Sequence, residues 1–126
     1  MVSEKKYFTP KTAKKTLPLV KKIVEDILAE GQSVKRILEY KSATLNDDIV
    51  KTSLNKIENY INELLELGCY FKDWNFEVGL VDFPAIIKGE EVFLCWKSDE
   101  PVLLYYHSIA EGFKGRKLIP EEYYID

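Results

Sequence analysis

The chain has 126 residues, of which 46% are apolar and 31% charged, a composition that favours one folded domain and excludes a disordered chain. No apolar run approaches the roughly 20 residues that cross a bilayer, and the lysines near the start precede no apolar stretch of the signal-peptide kind. Two cysteines are too few for a disulfide framework, so the sequence predicts a cytoplasmic protein.

The net charge of −3 conceals a basic start. Residues 1–22 contain seven lysines and one acidic residue, whereas the chain beyond Leu64 is acidic. A basic segment can meet phosphates, but no aromatic interleaving or RNA-binding signature accompanies these lysines. A solvated helix face is therefore favoured, and nucleic acid is not an expected partner.

The first predicted element is a long helix. Thr9 followed by Pro10 is typical of a helix start, with a hydroxyl at the cap and proline at the first position. From Ala13 to Leu38, apolar residues recur at alternating spacings of four and three, as in a coiled coil. Pro18 interrupts this pattern and predicts a kink or break.

A second helix follows a polar connection over residues 41–46. Asn46 supplies a cap, and Val50 to Gly68 repeat the four-three rhythm up to a glycine that favours a helix end. Two apolar stripes of this kind predict a long antiparallel helical hairpin over about residues 10–67.

After the hairpin, branched and aromatic residues predict strands at Leu80–Ile87, Glu91–Lys97 and Val102–His107, with Cys69–Phe71 as a further candidate. Helices followed by a three- to four-stranded antiparallel meander give an α+β fold. The domain is predicted to be single, with the meander and a C-terminal loop over about 69–117 and a short tail over 118–126.

The turn lengths predict which strand residues share a face. A two-residue turn at Lys88-Gly89 places Asp82 opposite Cys95, whereas a second turn of two or four residues places His107 with Trp96 on the other face. Asp82 and His107 are then on the order of 14 Å or more apart, too far for a hydrogen bond of about 3 Å. The sequence therefore predicts no acid–base pair between them, and only a bulge or an odd-length turn would bring the two side chains together.

Candidate site residues gather near the end of the last predicted strand. His107 is a candidate acid, base or metal ligand, with Glu90 and Glu111 as its predicted partners. Arg116 and Glu111 complete the candidate catalytic set. A histidine that bonds a loop carbonyl is the favoured alternative, and no metal or cofactor is predicted.

The loop after His107 joins flexible backbone to cations. Gly112, Lys114, Gly115 and Arg116 are candidates for cradling a phosphate or carboxylate, although a solvated glycine turn is favoured. Cys95 is interpreted as a small buried hydrophobe, since no metal-ligand spacing surrounds it.

Three motifs resemble a known family: GLVDFPA over Gly79–Ala85, VFLCW over Val92–Trp96 and HSIAEGFKGR over His107–Arg116. They resemble the domain of unknown function family numbered 2203, and the resemblance spans nearly the whole chain. It implies the fold and the domain boundaries and no activity. The family pattern often has acidic residues at the second and fourth positions of the last motif, where this chain has Ser108 and Ala110.

Two functions remain open at this level. Both faces of the predicted sheet carry large apolar side chains and the hairpin can cover only one, which favours an interaction or structural module that forms a homodimer or binds a protein partner. The alternative is a small anion- or metal-binding, enzyme-like domain that uses His107 and the loop over 112–117. The sequence does not decide whether the protein is an enzyme.

Overall fold

Two helices followed by one antiparallel sheet make up the fold of the described residues, 6–40, 47–72 and 75–124, in the computed structural model. The helices are α1 (Pro10–Tyr40) and α2 (Asp48–Leu67), and the strands are β1 (Tyr70–Lys72), β2 (Leu80–Ile87), β3 (Glu90–Lys97), β4 (Tyr105–Ser108) and β5 (Lys117–Leu118). The strands lie in chain order, and each neighbouring pair is antiparallel. The predicted α+β class is confirmed. The predicted three to four strands are wrong, because the two-residue β5 is too short to show an alternating pattern.

α1 is continuous from Pro10 to Tyr40, so a break at Pro18 is wrong, whereas the predicted kink there stays a prediction. Pro18 lies on the exposed side of α1, where water can replace the backbone hydrogen bond that proline cannot donate. At about 1.5 Å per residue, the 31 residues of α1 span about 46 Å and the 20 residues of α2 about 30 Å. α1 therefore extends well beyond the length that α2 can cover.

The apolar stripes hold the two helices together. The buried positions of α1 include the predicted Ala13, Leu17, Val20, Val24, Ile27 and Val34, and those of α2 include Val50, Ile57 and Leu64. α2 ends at Gly68 with φ 96°, where the backbone N–H of Cys69 donates to the Leu64 carbonyl at 2.9 Å, so the predicted glycine cap is confirmed. Gly68 lies against the Phe8 side chain, so the end of α2 is beside the start of α1 and the helices are antiparallel.

The connection between the two helices, predicted over residues 41–46 with Asn46 as a cap, lies outside the described residues. Within the part of the chain that is described, no helix is both long and apolar enough to cross a membrane.

The β2–β3 hairpin has the predicted register. Lys88 and Gly89 adopt positive φ angles of 53° and 79°, the conformation of a tight hairpin turn. Asp82 pairs with Cys95, and Phe83 pairs with Leu94. The alternating residues Val81, Phe83, Leu94 and Trp96 are buried in the core with α1 and α2, so Asp82 and Cys95 point to the other face.

The connection from β3 to β4 departs from the prediction. It has seven residues, 98–104, so the predicted short turn is wrong. The strand predicted over Val102–His107 is present as β4, but it begins three residues later, at Tyr105. His107 pairs with Phe93 and not with Val92. A shift of one residue reverses the faces of a strand, so His107 lies on the same face as Asp82 and Cys95.

Hydrogen bonds of this connection explain its length. The Trp96 indole N–H donates to the Glu100 carbonyl at 2.9 Å, and the Lys97 backbone N–H donates to the Glu100 carboxylate at 2.9 Å. Leu103 is buried in the core although it belongs to no strand. These contacts hold residues 98–104 in a wide loop, so β4 begins only at Tyr105.

The C-terminal segment packs onto the domain. Ile119 is buried, and the Tyr124 hydroxyl donates to the Leu103 carbonyl at 2.9 Å. Between β4 and β5, a short 3-10 helix over Gly112–Gly115 brings Phe113 to the sheet face that bears His107. That face is thereby partly covered by the chain itself.

Candidate metal centre

Three buried polar side chains from neighbouring strands meet on the sheet face away from the helices. Asp82 of β2 and His107 of β4 are each 4% exposed, and Cys95 of β3 is 1% exposed. One ligand atom from each lies within 4.8 Å of the other two: a carboxylate oxygen, the cysteine Sγ and an imidazole nitrogen. An oxygen, a sulfur and a nitrogen atom, each able to bind a metal ion, therefore lie close together.

The contact between His107 and Asp82 is direct. His107 Nε2 lies 3.1 Å from Asp82 Oδ1, so the predicted separation on the order of 14 Å is wrong. The cause is the seven-residue connection, which turns His107 to the face that Asp82 occupies. The predicted turn lengths exclude Asp82 as a partner of His107. Among the contacts of the described residues, however, Asp82 is the carboxylate nearest to the imidazole ring.

The second hydrogen bond of His107 determines which ring nitrogen carries a hydrogen. Nδ1 lies 2.8 Å from the Ser108 carbonyl oxygen, and a carbonyl only accepts, so Nδ1 carries the hydrogen. In the neutral ring, the Nε2 lone pair is then directed to Asp82 and Cys95. A second hydrogen bond of this kind orients many metal-binding histidines. The sequence favours a hydrogen bond from His107 to a loop carbonyl. That bond is compatible with a role in the cluster, because it leaves Nε2 facing Asp82 and Cys95.

Burial raises the pKa values of Asp82 and Cys95. Burial raises the pKa of Asp82, while the His107 ring, the Lys72 ammonium and the Cys95 thiol favour its ionised form and oppose the rise. Burial raises the pKa of Cys95 to about 12, and the charge of Asp82 acts in the same direction. At neutral pH the thiol is protonated, so Cys95 is a poor nucleophile without a bound cation.

A cavity of about 250 Å³ opens beside the three ligand atoms. Leu80, Phe93, Ile109 and Phe113 form apolar walls, and Lys72 and Gly112 complete the lining with Asp82, Cys95 and His107. The three polar side chains are thus at the base of a pocket. A small molecule can reach them from one side.

The predicted glutamates lie apart from this cluster. Glu90 is exposed at the far end of β3, five positions from Cys95, or about 17 Å along the strand. Glu111 is exposed and accepts a hydrogen bond from the Ser108 hydroxyl at 3.0 Å. His107 has its short contacts with Asp82 and Ser108 and not with these residues.

Arg116 lies next to the three-residue cluster. Its Nη2 donates to the Glu100 carboxylate at 2.7 Å and to the backbone carbonyl of Cys95 at 3.2 Å. The guanidinium stacks on Tyr105 and on Phe113, at 4.1 and 4.7 Å from the ring centroids. Arg116 therefore links the strand of Cys95 to the Phe113 wall of the cavity.

The remaining loop candidates are dispersed. Gly112 lines the cavity, whereas Lys114 is exposed and a side chain at Gly115 would collide with Glu111. Anion binding by Gly112, Lys114, Gly115 and Arg116 together stays a prediction. Cys95 is buried as predicted, but it faces a carboxylate and an imidazole, which its interpretation as a plain hydrophobe missed.

A family model described as Uncharacterized conserved protein (DUF2203) matches residues 6–119. The chain belongs to this family. The match includes both helices, all five strands and the three clustered side chains of this DUF2203 member. No curated protein and no solved structure matches the chain.

Proposed function

We propose that this DUF2203 member binds one divalent transition-metal ion, zinc foremost, through Asp82, Cys95 and His107. The observation that carries the proposal is the convergence of three buried ligand atoms within 4.8 Å. Zinc–ligand distances of about 2.0–2.3 Å place nitrogen and sulfur ligands of one ion about 3.6 Å apart in tetrahedral geometry. A shift of about 1 Å in side-chain position is enough to meet that requirement.

The donor set selects the class of metal. Thiolate and imidazole favour zinc, cobalt, nickel, copper or iron, whereas magnesium and calcium prefer all-oxygen ligands. A bound cation stabilises the thiolate of Cys95 and the carboxylate of Asp82, which burial otherwise disfavours. Three protein ligands beside a cavity resemble open zinc sites more than closed structural ones.

Titration of metal-stripped protein with zinc tests the proposal. We expect saturation at one ion per chain, and the same stoichiometry with cobalt, whose thiolate complex is coloured. Cys95→Ser and His107→Ala are expected to lose tight binding, whereas Cys69→Ser keeps it because Cys69 is buried in the apolar core. Binding that is equally tight in all four proteins would contradict the proposal.

Self-association is a second proposal. Val102, Leu104 and Leu118 are 40%, 41% and 65% exposed around a groove of about 360 Å³ at the β4–β5 edge. Exposed apolar patches of this kind favour a protein partner, and a second copy is the simplest one. Light scattering after size exclusion should give a dimer that Leu118→Glu converts to monomer. A monomer at every concentration would refute it.

A further inference from the structure

We propose that the cavity beside Asp82, Cys95 and His107 binds a small organic monocarboxylate, whose carboxylate completes the coordination of the metal. The inference rests on the metal binding proposed above and adds the chemical class of the ligand. Three properties of the cavity carry it: its volume, its apolar walls and the charge at its base and rim.

The volume limits the size of the ligand. At about 250 Å³, the cavity is below the roughly 300–1,000 Å³ of sites for drug-sized molecules, so a nucleotide or a large cofactor does not fit. Gly112 lines the cavity and contributes no side chain that would reduce this space.

The walls set the polarity of the ligand. Leu80, Phe93, Ile109 and Phe113 surround the space above the polar base. An inorganic anion or water makes no apolar contact with these walls. A short hydrocarbon chain covers the walls and so removes their apolar surface from water. A ligand with one polar end and a tail of a few carbons matches the arrangement.

The charges set the sign of the ligand. A divalent ion with the Asp82 carboxylate, the Cys95 thiolate and a neutral His107 has a net charge of zero. Lys72 lines the cavity, and its positive charge acts on the Asp82 carboxylate. One negative charge on the ligand therefore gives a neutral assembly, whereas a dianion leaves an uncompensated charge in a partly buried site.

The other nearby charges do not alter this balance. Arg116 is paired with Glu100 at 2.7 Å, and Glu111 accepts from the Ser108 hydroxyl at 3.0 Å. Lys72 is thus the charged side chain among the lining residues that is not a ligand to the proposed metal. It is the specificity-determining residue for an anion.

The test uses the full chain loaded with cobalt, with the visible spectrum as the readout. Butyrate is expected to change the cobalt bands saturably, and acetate to bind about 15-fold more weakly, since each of two missing methylenes contributes about 4-fold. Butyramide, which has the shape without the charge, and inorganic phosphate are expected to produce at most a weak change. Lys72→Gln should weaken butyrate binding at least about 5-fold, whereas Lys56→Gln, exposed on α2, should not.

The outcomes separate the two proposals. Protein that binds cobalt with a thiolate charge-transfer band but shows no response to butyrate overturns the carboxylate site alone. Phosphate that binds more tightly than butyrate, or a Lys72→Gln variant that binds butyrate unchanged, also overturns it. Protein that takes up no cobalt refutes metal binding and this inference together.

Discussion

Asp82→Asn is expected to abolish the stabilisation by zinc and to leave the metal-free protein at least as stable as the wild type. Zinc at about 1,000 times its dissociation constant adds about 4 kcal/mol to the free energy of unfolding of a protein that binds it. For a chain of this size, that corresponds to a rise in Tm on the order of 10 °C. The variant lacks the anionic oxygen ligand, so this rise should disappear.

The metal-free stability follows from the pKa of Asp82. Burial raises that pKa above its ordinary value of 3.8, so the folded state holds the proton more tightly than the unfolded state. The stability that Asp82 contributes is then present at low pH and is lost as pH rises through the raised pKa. Asparagine carries no charge to bury, and its amide can donate to His107 Nε2. We therefore expect a metal-free stability within about 1 kcal/mol of wild type, or higher.

Thermal unfolding with and without zinc measures both quantities. Asp99→Asn is the matched control, because Asp99 is exposed and its partner is Lys97 at 3.3 Å. This control should keep the full zinc response. A strongly destabilised metal-free Asp82→Asn, together with a wild type that zinc does not stabilise, would show that the three side chains serve only the packing of the sheet.

Cys95→Ser is expected to weaken zinc binding by more than about 100-fold and to change its pH dependence. Even outer-shell partners of a metal contribute about 10–100-fold to affinity, and a thiolate ligand contributes more. The pKa of Cys95 is raised to about 12, so the free thiol is protonated between pH 6 and 8 and must release its proton to the solvent when zinc binds.

The sign of the pH effect is therefore fixed. Each proton released makes zinc binding about tenfold tighter per pH unit, so the Cys95 thiol contributes a slope of about one in the logarithm of affinity. In Cys95→Ser this contribution is lost. Competition titrations with a calibrated chelator at several pH values measure it. Equal slopes for wild type and Cys95→Ser would remove Cys95 from the ligand set.

Elements with local physical causes were predictable from the sequence. The α2 cap needs a residue that tolerates positive φ, and Gly68 meets that need at the end of an apolar stripe. The β2–β3 register depends on a two-residue turn, and Lys88-Gly89 has the residue types for it. With that register, the pairing of Asp82 with Cys95 followed correctly.

The site itself depends on contacts between distant residues. The position of His107 follows from the length of the connection over 98–104, and side-chain bonds of Trp96, Glu100 and Arg116 hold that connection. None of these bonds leaves a pattern in the sequence, so the residue types alone predict a short turn and place His107 on the wrong face. Pro18 is a similar case, because α1 continues through it at an exposed position, where water can satisfy the free carbonyl.

One clue to the site was present in the sequence. Asp82 lies in a strand of apolar residues, where an ionisable side chain needs a partner to offset the cost of burial. Cys95, placed opposite it by the correct hairpin register, was one such partner. Interpreting Cys95 as a plain hydrophobe leaves it out of the cluster that it forms with Asp82 and His107.

X-ray absorption at the zinc edge of the protein loaded with one zinc ion would identify the atoms that bind the metal. We expect one sulfur neighbour at about 2.3 Å and nitrogen or oxygen neighbours at about 2.0–2.2 Å, with the sulfur signal lost in Cys95→Ser. A shell of nitrogen and oxygen alone in the wild type, or a spectrum that Cys95→Ser leaves unchanged, would contradict a metal centre formed by Asp82, Cys95 and His107.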